Sequence, residues 1–167
     1  MLVGCSDDPQ DASGLSIKYN ESGQKEWEGK YNKDQKPEGR WIYWHENGQK
    51  SREVVYKNGE REGPWTTWLE NGQKRSESEY KNDKLEGRKT DWHANGQKWN
   101  EGEYKNGKHE GRWTWWHKSG QKSEEGDYKN DEKEGPWTYW NEDGSIRISL
   151  SGIYKAGVKV ADLPKKK

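Results

Sequence analysis

The chain has 167 residues, and its 30 Lys and Arg residues balance 30 Asp and Glu residues to give a net charge of zero. It contains 12 Trp, 9 Tyr and no Phe, whereas Leu, Ile and Val together number only 16. Sixteen aliphatic residues cannot build a Rossmann domain, a TIM barrel or a helical bundle, so Trp and Tyr must supply most of the buried surface. The evenly mixed charge leaves no basic stripe for a phosphate backbone, and we expect no nucleic acid partner.

Residues 1–13 are interpreted as a lipobox remnant and a flexible polar tether. Leu2-Val3-Gly4-Cys5 resembles the site at which bacterial signal peptides are cleaved and the cysteine is lipidated, and Cys5 is the only cysteine of the chain. The charged and hydrophobic segments that precede a lipobox are not among these residues. We expect a lipid on Cys5 and, because serine follows it, an outer membrane lipoprotein that faces the periplasm or the exterior. A cytoplasmic location is the alternative.

Residues 14–157 form an internal repeat array with a period of 24 residues, apart from a first interval of 25. Each unit carries a Glu-Gly pair, a Gly-Gln-Lys tripeptide and a tyrosine in constant register. The tripeptides begin at Gly23, Gly48, Gly72, Gly96 and Gly120, the pairs at Glu38, Glu62, Glu86, Glu110 and Glu134, and the tyrosines are Tyr31, Tyr56, Tyr80, Tyr104 and Tyr128. Residues 158–167 are predicted to be a basic, solvated tail.

Two turn sequences in each unit predict the secondary structure. Asn-Gly accepts positive φ at both central positions of a type I′ turn, which predicts such turns at Asn47-Gly48, Asn71-Gly72 and Asn95-Gly96. A second turn is predicted at Asn58-Gly59 and at its equivalents Asn82-Asp83, Asn106-Gly107 and Asn130-Asp131. Two turns per unit leave two strands of about eight to ten residues each. The predicted fold is all-β, an elongated single-layer antiparallel meander with one β-hairpin per repeat.

The tryptophans are predicted to lie on both faces of this sheet. The recurring pairs are three positions apart, and residues three apart in a regular strand point to opposite faces unless a bulge resets the register. These pairs are Trp41 and Trp44, Trp65 and Trp68, Trp113 and Trp116, and Trp137 and Trp140. We expect the rings to pack mainly on each other as a quasi-one-dimensional core.

The unit resembles the variant MORN repeat that is common in bacteria. The resemblance rests on the Glu-Gly-x-Trp opening, the Asn-Gly-Gln-Lys turn and the Tyr-Lys-Asn-Gly close, and it extends from about Gly14 to Tyr154. Lys89, which replaces the first tryptophan of its unit, and Trp99, an additional aromatic residue, depart from the pattern. The resemblance implies a stack of β-hairpins with a scaffold or protein-interaction role. Some bacterial members are labelled antitoxins, and no catalytic residue carries over.

No catalytic, metal-binding or cofactor-binding site is predicted, and we expect a protein that is not an enzyme. His45, His93 and His117 precede equivalent turns and are expected to be exposed. His93 and His117 lie one unit apart, about 10 Å from each other, which is too far to share a zinc ion. A ladder of glutamates recurs in every unit beside lysines and is typical of cross-strand charge pairing on a solvated face. Its members are Glu28, Glu53, Glu77, Glu101 and Glu125. The sequence has no G-x-S-x-G, P-loop or H-E-x-x-H motif.

A cluster of tryptophans is the candidate binding surface, because one thin sheet cannot bury three Trp in four residues. Its members are Trp92, Trp99, Trp113, Trp115 and Trp116. We expect the array to present this surface to an unidentified protein partner. A cytoplasmic antitoxin-like protein that neutralises a toxin is the first alternative. A Trp-rich module that binds glycans or the cell wall is the second, because flat rings also stack on sugars and enclose quaternary ammonium groups.

Overall fold

One open antiparallel sheet contains all 14 strands of the computed structural model, which describes residues 14–164. The strands are β1 Ser16–Tyr19, β2 Lys25–Tyr31, β3 Pro37–Trp44, β4 Lys50–Lys57, β5 Glu60–Trp68, β6 Lys74–Lys81, β7 Lys84–Leu85, β8 Gly87–Trp92, β9 Lys98–Lys105, β10 Lys108–Trp116, β11 Lys122–Lys129, β12 Glu132–Tyr139, β13 Gly152–Lys155 and β14 Val158–Ala161. They pair in chain order, with β7 and β8 both against β6. The predicted single-layer meander is confirmed.

The array continues past the position where we expected the basic tail to begin. Residues 158–161 form β14, which pairs with β13 around a turn at Ala156 and Gly157. Cys5 and the rest of the predicted tether lie outside the described residues. Within residues 14–164, no helix has the length and apolar character needed to cross a membrane.

The two turns of each unit differ in geometry. The second turn is type I′, since Asn106 and Gly107 have φ of 53° and 80°. At the first turn only Gly48 has positive φ, and the predicted type I′ geometry is wrong there. The Gly48 N–H donates to His45 O (2.9 Å) and the His45 N–H donates to Gln49 O (2.8 Å), which encloses a three-residue loop. A type I turn followed by a left-handed glycine fits this loop, and Asn47 accepts the Gln49 N–H through Oδ1 at 3.0 Å.

Residues that pair directly across strands share a face, and two cross-strand rows define the two faces of the sheet. The charged face carries the row Glu28, Ile42, Glu53, Thr66, Glu77, Thr90, Glu101, Thr114, Glu125 and Thr138. The aromatic face carries the row Trp27, Tyr43, Arg52, Thr67, Ser76, Asp91, Asn100, Trp115, Glu124 and Tyr139.

The tryptophan pairs lie on opposite faces, as predicted. Trp41 stacks on Trp27 on the aromatic face, with ring centroids 5.0 Å apart. Trp44 lies on the charged face, where the Lys25 amine is 5.3 Å from its ring and 2.7 Å from the Glu28 carboxylate. A bulge between Tyr43 and Trp44 separates the two positions without bringing the rings to one side.

The core consists of indole rings that lie flat on glycines of the preceding strand. Trp113 is only 2% exposed, and a Cβ at Gly102 would lie 2.1 Å from its ring. The Trp113 indole N–H donates to Glu103 O at 3.0 Å. Two further pairs repeat this arrangement: Trp41 over Gly29 with a bond to Lys30 O (3.1 Å), and Trp137 over Gly126 with a bond to Asp127 O (3.0 Å). The glycine removes the side chain that would otherwise hold the ring off the sheet.

The recurring Glu-Gly pairs connect successive turns. The Glu86 carboxylate accepts the backbone N–H of Asn106 at 2.7 Å, and the Gly107 N–H donates to Leu85 O at 2.8 Å. Glu38, Glu62 and Glu110 accept the N–H of Asn58, Asn82 and Asn130 in the same way. Each glutamate therefore satisfies a turn N–H that the sheet ladder leaves free.

Candidate functional site

The flat glycine–tryptophan packing is interrupted in two neighbouring units, and a cleft lies at that place. Val54 replaces the glycine beneath Trp65, so Trp65 pairs in register with Val54 and does not fold over it. In the next unit Ser78 and Lys89 replace both the glycine and the tryptophan. The resulting cleft on the aromatic face has a volume of about 910 Å³. We call it the central cleft.

One cross-strand row in the floor of the central cleft is polar, whereas the same row carries rings at either end. The cross-strand row changes from Trp27 and Tyr43 to Arg52, Thr67 and Ser76 as it enters the cleft. At the far wall the Ser76 hydroxyl donates to Asp91 at 2.5 Å, and the Lys89 amine lies 2.8 Å from the other oxygen of Asp91. Lys89 therefore neutralises the Asp91 carboxylate.

Arginine side chains stand above this floor. The Arg52 guanidinium carbon lies 3.9 Å from the Tyr43 ring centroid, so the two groups are stacked. Burial is the main cause of a raised pKa at Tyr43, and Arg52 opposes that shift. Arg75 is exposed and lines the same cleft. Sequence reasoning missed both arginines, although Val54 and Ser78 in the glycine position were the signal that could have located the cleft.

The five tryptophans predicted as one binding surface do not lie together. Trp113 is buried in the core, where it stacks on Trp115 with centroids 5.4 Å apart, and it is therefore not part of any exposed patch. Trp116 lies on the opposite, charged face, with the Lys98 amine 5.6 Å from its ring, and Trp92 lines a cavity of that face beside Thr90. A binding role for these residues stays a prediction.

Trp99 is the exposed member of the five, with 50% of its surface accessible. It is the unpaired residue of the bulge in β9, because its neighbours pair with Trp92 and Asp91. The equivalent bulge positions in β4 and β6, Ser51 and Arg75, both line the central cleft. Trp99 thus has the same place in its own unit, outside that cleft.

The three equivalent histidines link units and are half-buried, which corrects the expectation that they are exposed. Nε2 of His45 donates to the carbonyl of Trp68 at 2.9 Å, and His93 and His117 bond Trp116 O and Trp140 O in the next unit. A carbonyl can only accept, so Nε2 carries the proton in each case. Within the described part of the chain, no three His, Cys, Asp or Glu side chains form a group that could hold a metal ion.

The glutamate ladder is paired mainly within each strand and partly across strands. The Lys50 amine lies 3.1 Å from Glu53, three residues along, and Arg40 of the adjacent strand lies 2.6 Å from the same carboxylate. The hydrogen bond from Arg40 is the main cause of a lowered pKa at Glu53. Arg88 and Lys98 hold Glu101 in the same arrangement. The ladder is a set of screened ion pairs on a half-exposed surface, without an unpaired acid for general acid catalysis.

Several rings of the aromatic face are already covered by cations of the chain itself. The Arg61 guanidinium lies 4.1 Å from the Tyr80 ring, and the Lys133 amine lies 4.3 Å from Trp137. Burial lowers the pKa of Lys133, and nearby Glu124 opposes that shift. His109 has the equivalent position between them, 4.4 Å from the Trp113 ring. These rings are therefore less open to an external ammonium group or sugar than their number suggests.

Comparison with known protein families identifies the repeat. The model of the family described as MORN repeat variant matches four segments, residues 37–58, 61–82, 85–106 and 110–130, which together cover more than half of the chain. The matched segments cover the strands from β3 to β11, except for the first one or two residues of β5, β7 and β10. No curated protein matches the chain.

Proposed function

Because this chain belongs to the MORN repeat variant family, whose members are generally non-enzymatic modules for protein or membrane interactions, we propose that it is a non-enzymatic scaffold that binds a protein partner. The observation that carries the proposal is the central cleft, which opens the aromatic face where Val54, Ser78 and Lys89 interrupt the packing. An extended polypeptide segment fits an elongated sheet face that offers both rings and hydrogen-bonding groups.

The cleft chemistry favours binding over catalysis. The hydroxyl of Ser76, which lines the cleft, donates to Asp91, and the Lys89 amine binds the other oxygen of that carboxylate. A nucleophilic serine would need a base that accepts its proton, and here the acceptor is a carboxylate already held by an ammonium group. These contacts support a site that recognises a surface and does not transform a substrate.

We further propose that a lipid on Cys5 displays the array at the cell envelope. The support is the Leu-Val-Gly-Cys sequence, which lies ahead of eight polar or small residues and outside the repeats. Those residues would separate the lipid from the sheet and leave the aromatic face accessible to a partner.

Site-specific photocrosslinking in the native host tests the scaffold proposal. Ser51 and Ser123 are matched positions, because each is the unpaired residue of the bulge in its own unit and the two units lie three repeats apart. Of the two, only Ser51 lines the cleft. We expect a photoreactive residue at position 51 to form a discrete protein adduct and one at position 123 to form none. Equal adducts at both positions, or adducts with glycan alone, would contradict binding at the cleft.

A further inference from the structure

We infer that the segment bound in the central cleft is acidic, and that Arg52 and Arg75 bind its carboxylates. This inference rests on the proposed function and specifies the chemistry of the partner. Three of the seven arginines lack a carboxylate partner among the described residues, and two of these three line the central cleft.

Four of the seven arginines are held by acids of the chain itself. These ion pairs are Arg40 with Glu53, Arg61 with Asp83, Arg88 with Glu101, and Arg112 with Glu125 and Asp127. Within residues 14–164, Arg52 and Arg75 form no ion pair, and both line the central cleft. Arg147, which is also unpaired there, lies in the loop before β13 and outside the cleft.

The acids around the cleft do not compensate these two guanidinium groups. Glu26 is bound by the Lys18 amine at 2.7 Å, and Asp91 is bound by Lys89. Glu46 has no basic partner among the described residues, but it lies in the exposed turn at the rim. The cleft thus carries two uncompensated positive charges against one negative charge, which favours an anionic ligand.

The geometry of Arg52 suits carboxylate recognition. Stacking on Tyr43 holds the guanidinium plane, so less side-chain entropy is lost when a ligand binds. Its Nε is buried and has no acceptor within the described chain, and the same is true of the Trp65 indole N–H on the next strand. These two donors lie below the cleft surface, whereas the planar end of Arg52 and the exposed Arg75 offer further N–H groups to a ligand.

The spacing of the two arginines points to an extended acidic segment. Arg52 lies on β4 and Arg75 on β6, two strands away, which is about 10 Å between backbones. In an extended peptide, side chains at alternate positions lie on one face about 7 Å apart. The long arginine and glutamate side chains span the difference, so glutamates at alternate positions can each meet one guanidinium.

Fluorescence anisotropy with the full-length protein tests the inference. The probe is a short capped, labelled peptide that alternates valine and glutamate, compared with the same peptide carrying glutamine. We expect the glutamate peptide to bind at least about tenfold more tightly, and Arg52→Gln and Arg75→Gln each to weaken it about tenfold. Arg112→Gln, on the opposite face, is the matched control and should leave binding unchanged. Because Arg75 is exposed, its variant should fold even if Arg52→Gln does not.

Four outcomes would overturn the inference. Equal binding of the glutamate and glutamine peptides would remove the carboxylate requirement, and the Ser51 adduct would then still support a scaffold. Absence of binding by both peptides would also contradict an extended acidic ligand, and the Ser51 adduct would again still support a scaffold. If glucuronate displaced the labelled peptide and bound more tightly than the peptide does, the site would be assigned to an acidic sugar. Unchanged binding of the glutamate peptide by both Arg52→Gln and Arg75→Gln would show that these two arginines do not bind its carboxylates.

Discussion

A missing side chain at Gly102 determines where Trp113 lies. The ring occupies the space that a Cβ would take and is held there by the bond from its indole N–H to Glu103 O (3.0 Å). Where valine takes the glycine position, at Val54, the indole N–H of Trp65 is buried without an acceptor in the described chain. One side chain therefore decides whether a tryptophan closes the face or leaves it open.

We expect Gly102→Ala to destabilise the protein by about 2–3 kcal/mol, because the ring must leave the strand and the bond to Glu103 O must break. Ser78→Ala is the matched control, since Ser78 has the equivalent position in a unit that carries Lys89 in place of the tryptophan. Its cost should be within about 1 kcal/mol. Urea unfolding followed by Trp fluorescence measures both, and similar losses in the two variants would show that the glycine is not the determinant.

At this scale the sequence predicted part of the result. Opposite faces for Trp41 and Trp44 followed from the spacing of three, because a strand alternates sides regardless of its neighbours. The burial of Trp113 did not follow, since it depends on Gly102 of another strand. Arg52 and Arg75 were missed for the same reason: their lack of partners becomes visible only when the strands are placed side by side.

At the scale of strands and turns, sequence patterns predicted the order and number of elements better than their detailed geometry. Repeating Asn-Gly dipeptides located both turns of each unit, yet the first is a three-residue loop with only Gly48 at positive φ. Loop length depends on which residues bond across the turn, here His45 with Gln49, and the dipeptide alone does not specify that pairing. The dipeptide does not specify the bulge beside Trp44 either, in which Ser51 is the additional, unpaired residue between Lys50 and Arg52.

The glutamate ladder of the charged face predicts acid sensitivity. Glu53 has a pKa lowered from 4.5, mainly by its hydrogen bond from Arg40. For Glu101 and Glu125, burial raises the pKa, but the bonds from neighbouring cations outweigh it and the net shift is downward. A lowered pKa in the folded state means that the folded protein holds fewer protons than the unfolded chain between the two values.

The resulting stabilisation is fully present above about pH 4.5 and is lost as the pH falls through the lowered values. We expect the urea midpoint to be flat near neutral pH and to decline below about pH 4.5, with a shallower decline in Glu53→Gln. About 0.5 M NaCl should also flatten the decline, because these pairs are partly exposed and screened. An identical pH profile in Glu53→Gln would show that this ion pair does not contribute.

At the scale of the whole molecule, each strand contacts mainly its neighbours along one axis. Within residues 14–164 the sheet has no second layer, so its stability is approximately a sum over adjacent hairpins, each with its own rings and ion pairs. The scarcity of Leu, Ile and Val is consistent with this architecture, because a single layer needs rings that pack along the sheet and no thick core. The fold was predictable from the 24-residue period of residues 14–157 and its turn sequences, and the family from the motifs that recur in each unit.

A lipid on Cys5 would determine where the entire array is located. Changing Cys5→Ser in the native host should move the protein from the membrane fraction to the soluble fraction, because the lipid would have no attachment site. Ser6→Ala, beside it, is the control and should leave the protein in the membrane fraction. Membrane fractionation that is unchanged by Cys5→Ser would contradict lipidation.

The two kinds of turn lie at opposite ends of the strands, because every unit contributes one complete hairpin and returns the chain to the side from which it started. Copying or deleting one whole unit therefore changes the length of the array by about 10 Å and leaves all other side chains on their original faces. Each copied unit can then keep its glycine and tryptophan, lose the glycine alone as at Val54, or lose both residues as at Ser78 and Lys89. Gene duplication can thus vary the length of the protein and the position of its cleft as two independent traits.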